Sequence, residues 1–166
     1  MCPECLPLHA LVLEDFYRQL NADDTIRSHY FNDRFENIYI EAKHVRGLDF
    51  ILQRLKTEAA ALLDEPAEAL QLGFWFNLMQ RGDVTLPHSH DDDDEQLSGT
   101  YYLQVPNGSG ELVIQPADDQ RINIQPAEGR FVIFHPAVQH EVTTHNIDEA
   151  RISLGFNIGP KKTATD

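Results

Sequence analysis

The chain has 166 residues, of which 42% are apolar and 24% are charged, a composition typical of a globular domain. Its 13 basic and 27 acidic side chains give a net charge of -14, which argues against nucleic acid and anionic membranes as partners. The sequence has no apolar run near the roughly 20 residues of a membrane span and begins without a basic signal segment, so we expect a cytoplasmic protein.

Two cysteines, Cys2 and Cys5, stand near the N-terminus in the sequence CPEC. A pair with this spacing can form a redox dithiol or half of a zinc site, but the chain has no second cysteine pair to complete a zinc site. The pair also precedes every predicted helix and strand. We therefore expect a frayed terminal segment with two free thiols.

The first part of the chain favours helices. Apolar residues at helical spacing predict one helix over 11–20 and a longer one over 47–65, which ends before Pro66. The apolar stripe of the longer helix consists of Leu48, Ile51, Leu52, Leu55, Ala59, Leu62 and Leu63. Between the two helices, residues 32–41 are predicted to be partly extended.

From residue 70 onward the apolar residues repeat with a period of two, which is typical of β-strands. The short runs are LGFWFNLMQ, LSGTYYLQV, GELVIQ, INIQ, GRFVIF, HEVTT and ARISLGFNI. Turn residues separate them roughly every 8–12 positions, which predicts a β-sandwich or barrel with the N-terminal helices covering one face. We treat the chain as one domain, with a helical support region at 1–69, a β core at 70–160 and a tail at 161–166.

Three histidines are candidate metal ligands. His88 and His90 lie in TLPHSH, and side chains two positions apart on an extended segment point to the same face. Two adjacent imidazoles form half of a metal site, and His140, 50 residues after His90, can reach them from a neighbouring antiparallel strand. The other histidines are assigned no site; they are His9, His29, His44, His135 and His145.

The last predicted strand, RISLGFNI, has one apolar face and one polar face. The polar face carries Arg151, Ser153, Gly155 and Asn157. An arginine with a serine two positions later can bind a carboxylate, because the guanidinium grips both oxygens and the hydroxyl donates a further hydrogen bond. Tyr102, on the polar face of GTYYLQV, can donate to the same acid.

Residues 74–158 resemble the Fe(II)- and 2-oxoglutarate-dependent oxygenases, especially the prolyl-hydroxylase-like and related bacterial branches. The matching pieces, in order, are GDVTLPHSH, LSGTYYL, GELVI, PAEGRFVIFHPAVQHEV and EARISLGFNI. The resemblance implies a double-stranded β-helix, a jelly-roll or cupin-like barrel, with Fe(II) and 2-oxoglutarate as cofactors. It further implies that His140 is the distal metal ligand and that Tyr102, Arg151 and Ser153 bind 2-oxoglutarate. The implied reaction hydroxylates a small-molecule or peptidyl substrate and releases succinate and CO2.

The metal motif departs from the family at one position. The family has a carboxylate two residues after its first histidine, where this chain has His90. Either the site uses His88, His90 and His140, or the motif shifts by two residues and combines His90 with Asp92 and His140. The spacing from Gly82 to His88 favours the three-histidine set, whereas the usual iron ligands favour the shifted set.

Two other functions are compatible with a barrel of this kind. A cupin-type metalloenzyme without 2-oxoglutarate would add Glu95 to the three histidines and leave Arg151 without a role. A non-catalytic jelly-roll binding module would leave the histidine pattern unexplained. The acidic run 91–95 is expected to be a solvated loop, with attraction of a cationic substrate or protein segment as the alternative. An uncovered barrel edge allows a homodimer.

Overall fold

The computed structural model describes residues 1–90, 94–117 and 120–162, and within them ten strands form two antiparallel sheets. The strands are β1 Ile26–Phe31, β2 Arg34–Tyr39, β3 Leu70–Met79, β4 Thr85–His88, β5 Leu97–Gln104, β6 Leu112–Ala117, β7 Gln120–Ile124, β8 Phe131–Phe134, β9 Gln139–Val142 and β10 Arg151–Pro160. The helices are α1 His9–Gln19 and α2 Leu48–Leu63, with short 3-10 turns at Pro3–Leu8, Ala42–His44 and Ala67–Ala69. Neither described helix has the length and apolar character needed to cross a membrane.

The two sheets pack as a barrel. The larger sheet has the strand order β1-β2-β3-β10-β5-β8, and the smaller sheet has the order β4-β9-β6-β7. The strand β10 lies near the middle of the larger sheet, where it pairs along its whole length with β3 and on its other side with β5. Because side chains alternate along a strand, one face of β10 points to the helices and the other into the barrel. The predicted double-stranded β-helix with N-terminal helices is therefore confirmed.

The helices cover the outer face of the larger sheet. On α1, Phe16 stacks on Phe76 of β3, with ring centroids 4.8 Å apart. Helix α2 buries most of its predicted apolar stripe, but Leu62, in the last turn of the helix, is exposed. Full burial of one large apolar side chain stabilises a fold by about 1.5–3 kcal/mol, so this helix–sheet interface is a main source of stability.

A hairpin of β1 and β2 extends the larger sheet, so the region 1–69 is not only a helical support. Arg34 fastens the hairpin to the barrel, because its guanidinium donates to the backbone oxygens of Leu78 and Val84 at 3.3 and 3.0 Å. The extended stretch predicted at 32–41 contains β2. The sequence pattern did not reveal β1, because the exposure of its side chains does not alternate.

The N-terminal cysteines form a buried disulfide, so the expectation of a frayed segment with two free thiols is wrong. Cys2 and Cys5 are bonded to each other and are 2% and 0% exposed. The backbone N–H of Cys2 donates to the carbonyl oxygen of Gly129 at 2.8 Å, and the N–H of Gly129 donates to that of Tyr102 at 3.0 Å. Burial and backbone pairing together offset the conformational entropy that usually frees a terminus.

A buried carboxylate links α1 to the segment before α2. Asp15 is fully buried, and its two oxygens accept hydrogen bonds from the backbone N–H, Nε and Nη2 of Arg46, each at 2.8 Å. Arg18 forms a further ion pair with the same carboxylate. The hydrogen bonds from Arg46 hold the pKa of Asp15 well below its usual range. The native state therefore keeps this carboxylate ionised under conditions in which the unfolded chain protonates it.

We expect Asp15→Asn to lower the melting temperature at pH 7 by roughly 5 °C, because the amide cannot replace the charge-assisted hydrogen bonds from Arg46. The contribution of Asp15 is complete above its unfolded pKa of about 3.9 and is lost as pH falls toward the lower native value. The difference between the parent and the variant should therefore narrow between pH 6 and pH 3 in thermal unfolding followed by circular dichroism. Asp23→Asn, at an exposed position, is the matched control. A difference in melting temperature between the parent and Asp15→Asn that does not change with pH would contradict this account.

Candidate metal centre

Three histidine side chains meet at β4 and β9. His88 lies opposite His140 in the register of these strands, and the two ring centroids are 4.2 Å apart. The His90 ring is 5.0 Å from that of His88 and 5.1 Å from that of His140. One nitrogen from each ring lies within 4.8 Å of the others, and no other such group of His, Cys, Asp or Glu occurs among the described residues. This triad brings together three nitrogen atoms that could hold a metal ion.

Backbone hydrogen bonds orient two of the rings. The Nδ1 atom of His88 lies 2.8 Å from the carbonyl oxygen of Leu86, and that of His140 lies 3.1 Å from the carbonyl oxygen of Val138. A carbonyl oxygen only accepts hydrogen bonds, so each Nδ1 carries the proton and each Nε2 presents a lone pair. Histidines that bind metals commonly have the second ring nitrogen fixed in this way.

The surroundings keep His140 neutral. Burial, assisted by the neighbouring His88 and His90 rings, lowers the pKa of His140 to about 4. The ring of Phe134 packs against it, with centroids 4.7 Å apart, and contributes to this apolar environment. A neutral imidazole is the form that binds metals, so no proton occupies the lone pair of His140 at neutral pH.

The triad lines a cavity of about 460 Å³ between the two sheets. The polar face of β10 forms another part of its wall, where Arg151, Ser153 and Asn157 line the cavity. The alternating polar and apolar residues of RISLGFNI therefore face two environments. The polar face of β10 lines the cavity, and its apolar face packs beneath the helices. One cavity thus contains both the three histidines and the predicted carboxylate-binding pair.

Arg151 is a buried cation without an anionic partner. The residue is 2% exposed, and no carboxylate among the described residues forms an ion pair with it. Its Nη1 contacts the sulfur of Met79 at 2.8 Å, and its Nε has no hydrogen-bond partner among the described residues. Burial lowers the pKa of the guanidinium, which reflects the loss of its hydration. A bound anion would restore the missing interactions.

Tyr102 lies beside this guanidinium rather than in the cavity wall. The Cζ atom of Arg151 is 5.1 Å from the centroid of the Tyr102 ring, within the range of a cation–π contact. The buried Tyr102 hydroxyl has no hydrogen-bond partner among the described residues. The attraction between this hydroxyl and the Arg151 guanidinium offsets part of the cost of an unsatisfied buried polar group, about 1–3 kcal/mol, and a polar ligand would satisfy both groups further.

The indole of Trp75 lies across β10 next to the triad. Its ring centroid is 5.7 Å from that of His90. Trp75 pairs with Gly155 in the β3–β10 register, and a Cβ atom added to Gly155 would lie 2.4 Å from the indole. Only glycine leaves room for the indole at this position, so Gly155 determines the width of the cavity beside the metal centre.

The β1–β2 hairpin supplies a polar wall that sequence reasoning missed. His29, Glu36, Asn37 and Tyr39 line the cavity that contains the triad. The amide nitrogen of Asn37 donates to His29 Nδ1 at 3.1 Å and to the Tyr39 hydroxyl at 3.2 Å. No sequence signal predicts that this hairpin lies beside the histidine motif about fifty residues later. The hairpin reaches that position because β2 pairs with β3.

The sequence suggests two alternative ligands, Glu95 and Asp92. Glu95, the additional ligand of the cupin interpretation, is not part of the triad; its Oε1 accepts a hydrogen bond from Asn157 Nδ2 at 3.3 Å. Asp92, the carboxylate of the shifted motif, lies outside the described residues.

Comparison with known families identifies the chain. The model of the 2OG-Fe(II) oxygenase superfamily matches residues 74–159, which is just over half of the sequence. The chain therefore belongs to the 2OG-Fe(II) oxygenase superfamily. This confirms the resemblance found in the ordered motifs of the β region. No curated protein sequence matches the chain.

Solved structures share the fold at low sequence identity. A prolyl-4-hydroxylase of Pseudomonas putida superposes with a TM-score of 0.71 at 22% identity, covering 93% of this chain and 86% of that one. SnoN, a non-heme α-ketoglutarate-dependent epimerase from nogalamycin biosynthesis, gives a TM-score of 0.72 at 17% identity, covering 93% and 73%. A Trichoplax adhaerens prolyl hydroxylase, in complex with a hypoxia inducible factor peptide, gives a TM-score of 0.63 at 13% identity, covering 93% of this chain and 79% of that one.

Proposed function

We propose that this protein is a non-haem Fe(II)- and 2-oxoglutarate-dependent dioxygenase that hydroxylates a small-molecule or peptidyl substrate. The observation that carries the proposal is the unpaired buried Arg151 in the same cavity as three converging histidines. Such a cation is destabilising alone and favourable when it binds an anion, and the family supplies a dicarboxylate as that anion. Relatives with this fold include enzymes described as prolyl hydroxylases and an epimerase, so peptides and small molecules are both candidate substrates.

The donor set fits Fe(II). We assign His88, His90 and His140 as the ligands, because imidazole nitrogen suits iron and two of the rings already present Nε2 lone pairs. The backbone N–H of His90 donates to the carbonyl oxygen of Pro136 at 2.9 Å, which fixes the segment after β4. Three neutral ligands leave the full charge of the metal uncompensated. A dianionic cosubstrate would neutralise that charge.

The buried donors fit 2-oxoglutarate. We assign Arg151 and Ser153 to its distal carboxylate and the Tyr102 hydroxyl as a further donor near the guanidinium. Fe(II) with 2-oxoglutarate and O2 supplies oxidative decarboxylation to succinate and CO2, with the second oxygen atom entering a C–H bond of the substrate. The protein's own contribution is to orient the dicarboxylate and to hold the buried His140 neutral.

An anaerobic absorption titration tests this function. Fe(II) is added to metal-free protein, followed by 2-oxoglutarate, and the expected result is a visible charge-transfer band that saturates at one equivalent of each. Succinate formation after exposure to O2 then reports turnover. Binding of iron without a band would overturn the 2-oxoglutarate assignment, and absence of iron binding would overturn the metal site.

Single substitutions distinguish the two possible ligand sets. With the three-histidine set, we expect His88→Ala to weaken Fe(II) binding by more than roughly 100-fold, since even partners outside the ligand set contribute 10–100-fold. Asp92→Asn should leave the affinity within about threefold of the parent. The shifted motif, which uses Asp92 and not His88, predicts the reverse. Equilibrium competition with a chromogenic chelator measures both variants on the same scale.

A further inference from the structure

A second cavity, of about 450 Å³, adjoins the one that holds the triad. The two cavities share Tyr39, Trp75 and Asn157 as lining residues. The second cavity is bordered on its outer side by Asp94 and Glu95. The shared residues make the two cavities direct neighbours.

Glu95 is held in a fixed orientation in this cavity. The buried Ser98 hydroxyl donates to Asn157 Oδ1 at 2.8 Å, and this orients the amide so that its Nδ2 donates to Glu95 Oε1 at 3.3 Å. The backbone N–H of Gln96 donates to the carbonyl oxygen of Ile158 at 2.8 Å, which ties the segment to β10. Side chain and backbone are therefore both fixed before any ligand binds.

The charge of this carboxylate is uncompensated. No lysine, arginine or histidine among the described residues forms an ion pair with Glu95. The neighbouring Asp94 does have a partner, because the Lys162 ammonium lies 3.7 Å from its carboxylate. The lining of the second cavity therefore contains one ion pair between an ammonium and a carboxylate, at the protein surface. Glu95 is available for a second ion pair.

An aromatic wall completes the site. Trp75 lines the second cavity together with Phe74 and Tyr39. Tryptophan is the best aromatic partner for a cation, and a carboxylate beside an aromatic face is a common way to bind ammonium and guanidinium groups. The net charge of -14 also raises the local concentration of cations around the protein.

We propose that the second cavity binds an alkylammonium or guanidinium group of the substrate, with Glu95 as the ion-pair acceptor and Trp75 as the aromatic wall. The substrate carbon to be oxidised then lies beside the triad. The substrate role rests on the proposed dioxygenase function, whereas the cation site itself does not. A free amine and a basic side chain of a peptide present the same group, and the test separates these two sources.

Trp75 is the only tryptophan of the chain, so its fluorescence reports directly on both cavities. The full-length protein is titrated without metal, and again anaerobically with Fe(II) and 2-oxoglutarate. The probes are n-butylamine, acetyl-Gly-Lys-Gly-amide, its arginine counterpart and an uncharged norleucine counterpart. We expect a saturable change with the charged probes only. Binding of butylamine and the peptides alike indicates a free amine as the source, whereas binding of the peptides alone indicates a peptidyl substrate.

Variants identify the acceptor. Glu95→Gln should weaken binding of the charged probes at least tenfold, whereas Glu68→Gln, which makes the same charge change at an exposed position outside both cavities, should change it less than twofold. Lys162→Met removes a positive charge from the lining of the second cavity and should strengthen cation binding severalfold, with Lys161→Met as its control. The Lys162 variant keeps the test valid even where Glu95→Gln fails to fold.

Three results would overturn the proposal. They are no saturable change with any charged probe, equal binding of the norleucine peptide, and Glu95→Gln binding like the parent. The metal-free titration separates this inference from the dioxygenase function. Cation binding without a 2-oxoglutarate band would leave the cation site standing and remove the reaction. A 2-oxoglutarate band without cation binding would support the dioxygenase function and remove the cation site.

Discussion

Arg151→Met should eliminate the 2-oxoglutarate charge-transfer band at concentrations that saturate the parent, while Fe(II) binding stays unchanged. Removing one partner of a buried, hydrogen-bonded charge pair typically costs 2–5 kcal/mol, so we expect roughly 100-fold weaker binding of 2-oxoglutarate. The proposed iron ligands lie on β4, β9 and the segment after β4, whereas Arg151 begins β10. We therefore expect the substitution to weaken binding of the cosubstrate and to leave binding of the metal unchanged.

The same variant makes a second, opposite prediction for stability. In the ligand-free parent, Arg151 is a buried charge beside Met79, and no carboxylate in the described part of the chain forms an ion pair with it. Replacing such a charge with an apolar side chain of similar volume is often neutral or stabilising. Without 2-oxoglutarate, the variant should melt at the same temperature as the parent or higher. Mn(II) alone should stabilise both proteins, whereas addition of 2-oxoglutarate to the Mn(II) form should raise the melting temperature of the parent only.

Arg81→Met is the matched control, because it removes the same charge from an exposed side chain paired only with Asp148. It should leave the charge-transfer band and the ligand-induced stabilisation unchanged. An Arg151→Met protein that binds 2-oxoglutarate like the parent would show that the dicarboxylate is held elsewhere. A large loss of stability in the ligand-free variant would show that Arg151 acts mainly in folding.

The sequence predicts those parts of the site that depend on local periodicity. A period of two in RISLGFNI separates the apolar face of β10 from the face with Arg151 and Ser153, and the structure places those faces against the helices and the cavity. The HxH spacing keeps the His88 and His90 rings 5.0 Å apart, although β4 ends at His88 and His90 lies in the segment after it. His140 can join the other two histidines only if its strand lies beside theirs. The order of the family motifs predicted that neighbour.

Features that depend on distant contacts were not predictable in this way. The β1–β2 hairpin joins the cavity because β2 pairs with β3, and nothing within the hairpin encodes that neighbour. Burial of the terminal disulfide likewise depends on Gly129. Glu95 is another example. Its spacing from His88 in the sequence suits a cupin metal ligand, but in the structure its side chain accepts a hydrogen bond from Asn157 of β10. Sequence spacing limits which residues can meet, whereas strand pairing decides which ones do.

Histidine spacing also says little about burial. His9 and His145 have no metal-like spacing, yet both are buried. His9 shares a hydrogen bond of 2.7 Å with the hydroxyl of Tyr101, and His145 Nε2 lies 2.7 Å from the carbonyl oxygen of Glu149. Burial lowers the pKa of His9, so this ring stays neutral in the core. These two residues illustrate the structural use of histidine. The triad differs because its three rings each bring a nitrogen to within 4.8 Å of the others.

His140→Ala should weaken Fe(II) binding by more than roughly 100-fold, because the variant loses a proposed ligand and not only an outer partner, whose loss alone typically costs 10–100-fold. The side chain lies opposite His88 and makes no hydrogen bond to another side chain among the described residues, so its removal should leave the strand pairing intact. Chelator competition measures the affinity, and circular dichroism checks the fold.

Rescue with imidazole separates a ligand from a structural residue. Truncation to alanine leaves a space of about one imidazole ring beside the other two histidines, so added imidazole should restore Fe(II) binding to His140→Ala in a saturable manner. His135→Ala, an exposed histidine on the same segment, should bind iron like the parent and gain nothing from imidazole. An affinity of His140→Ala within threefold of the parent would exclude His140 as a ligand. Weak binding that imidazole does not restore would instead assign its effect to folding, which the unfolding profile of the variant would then show.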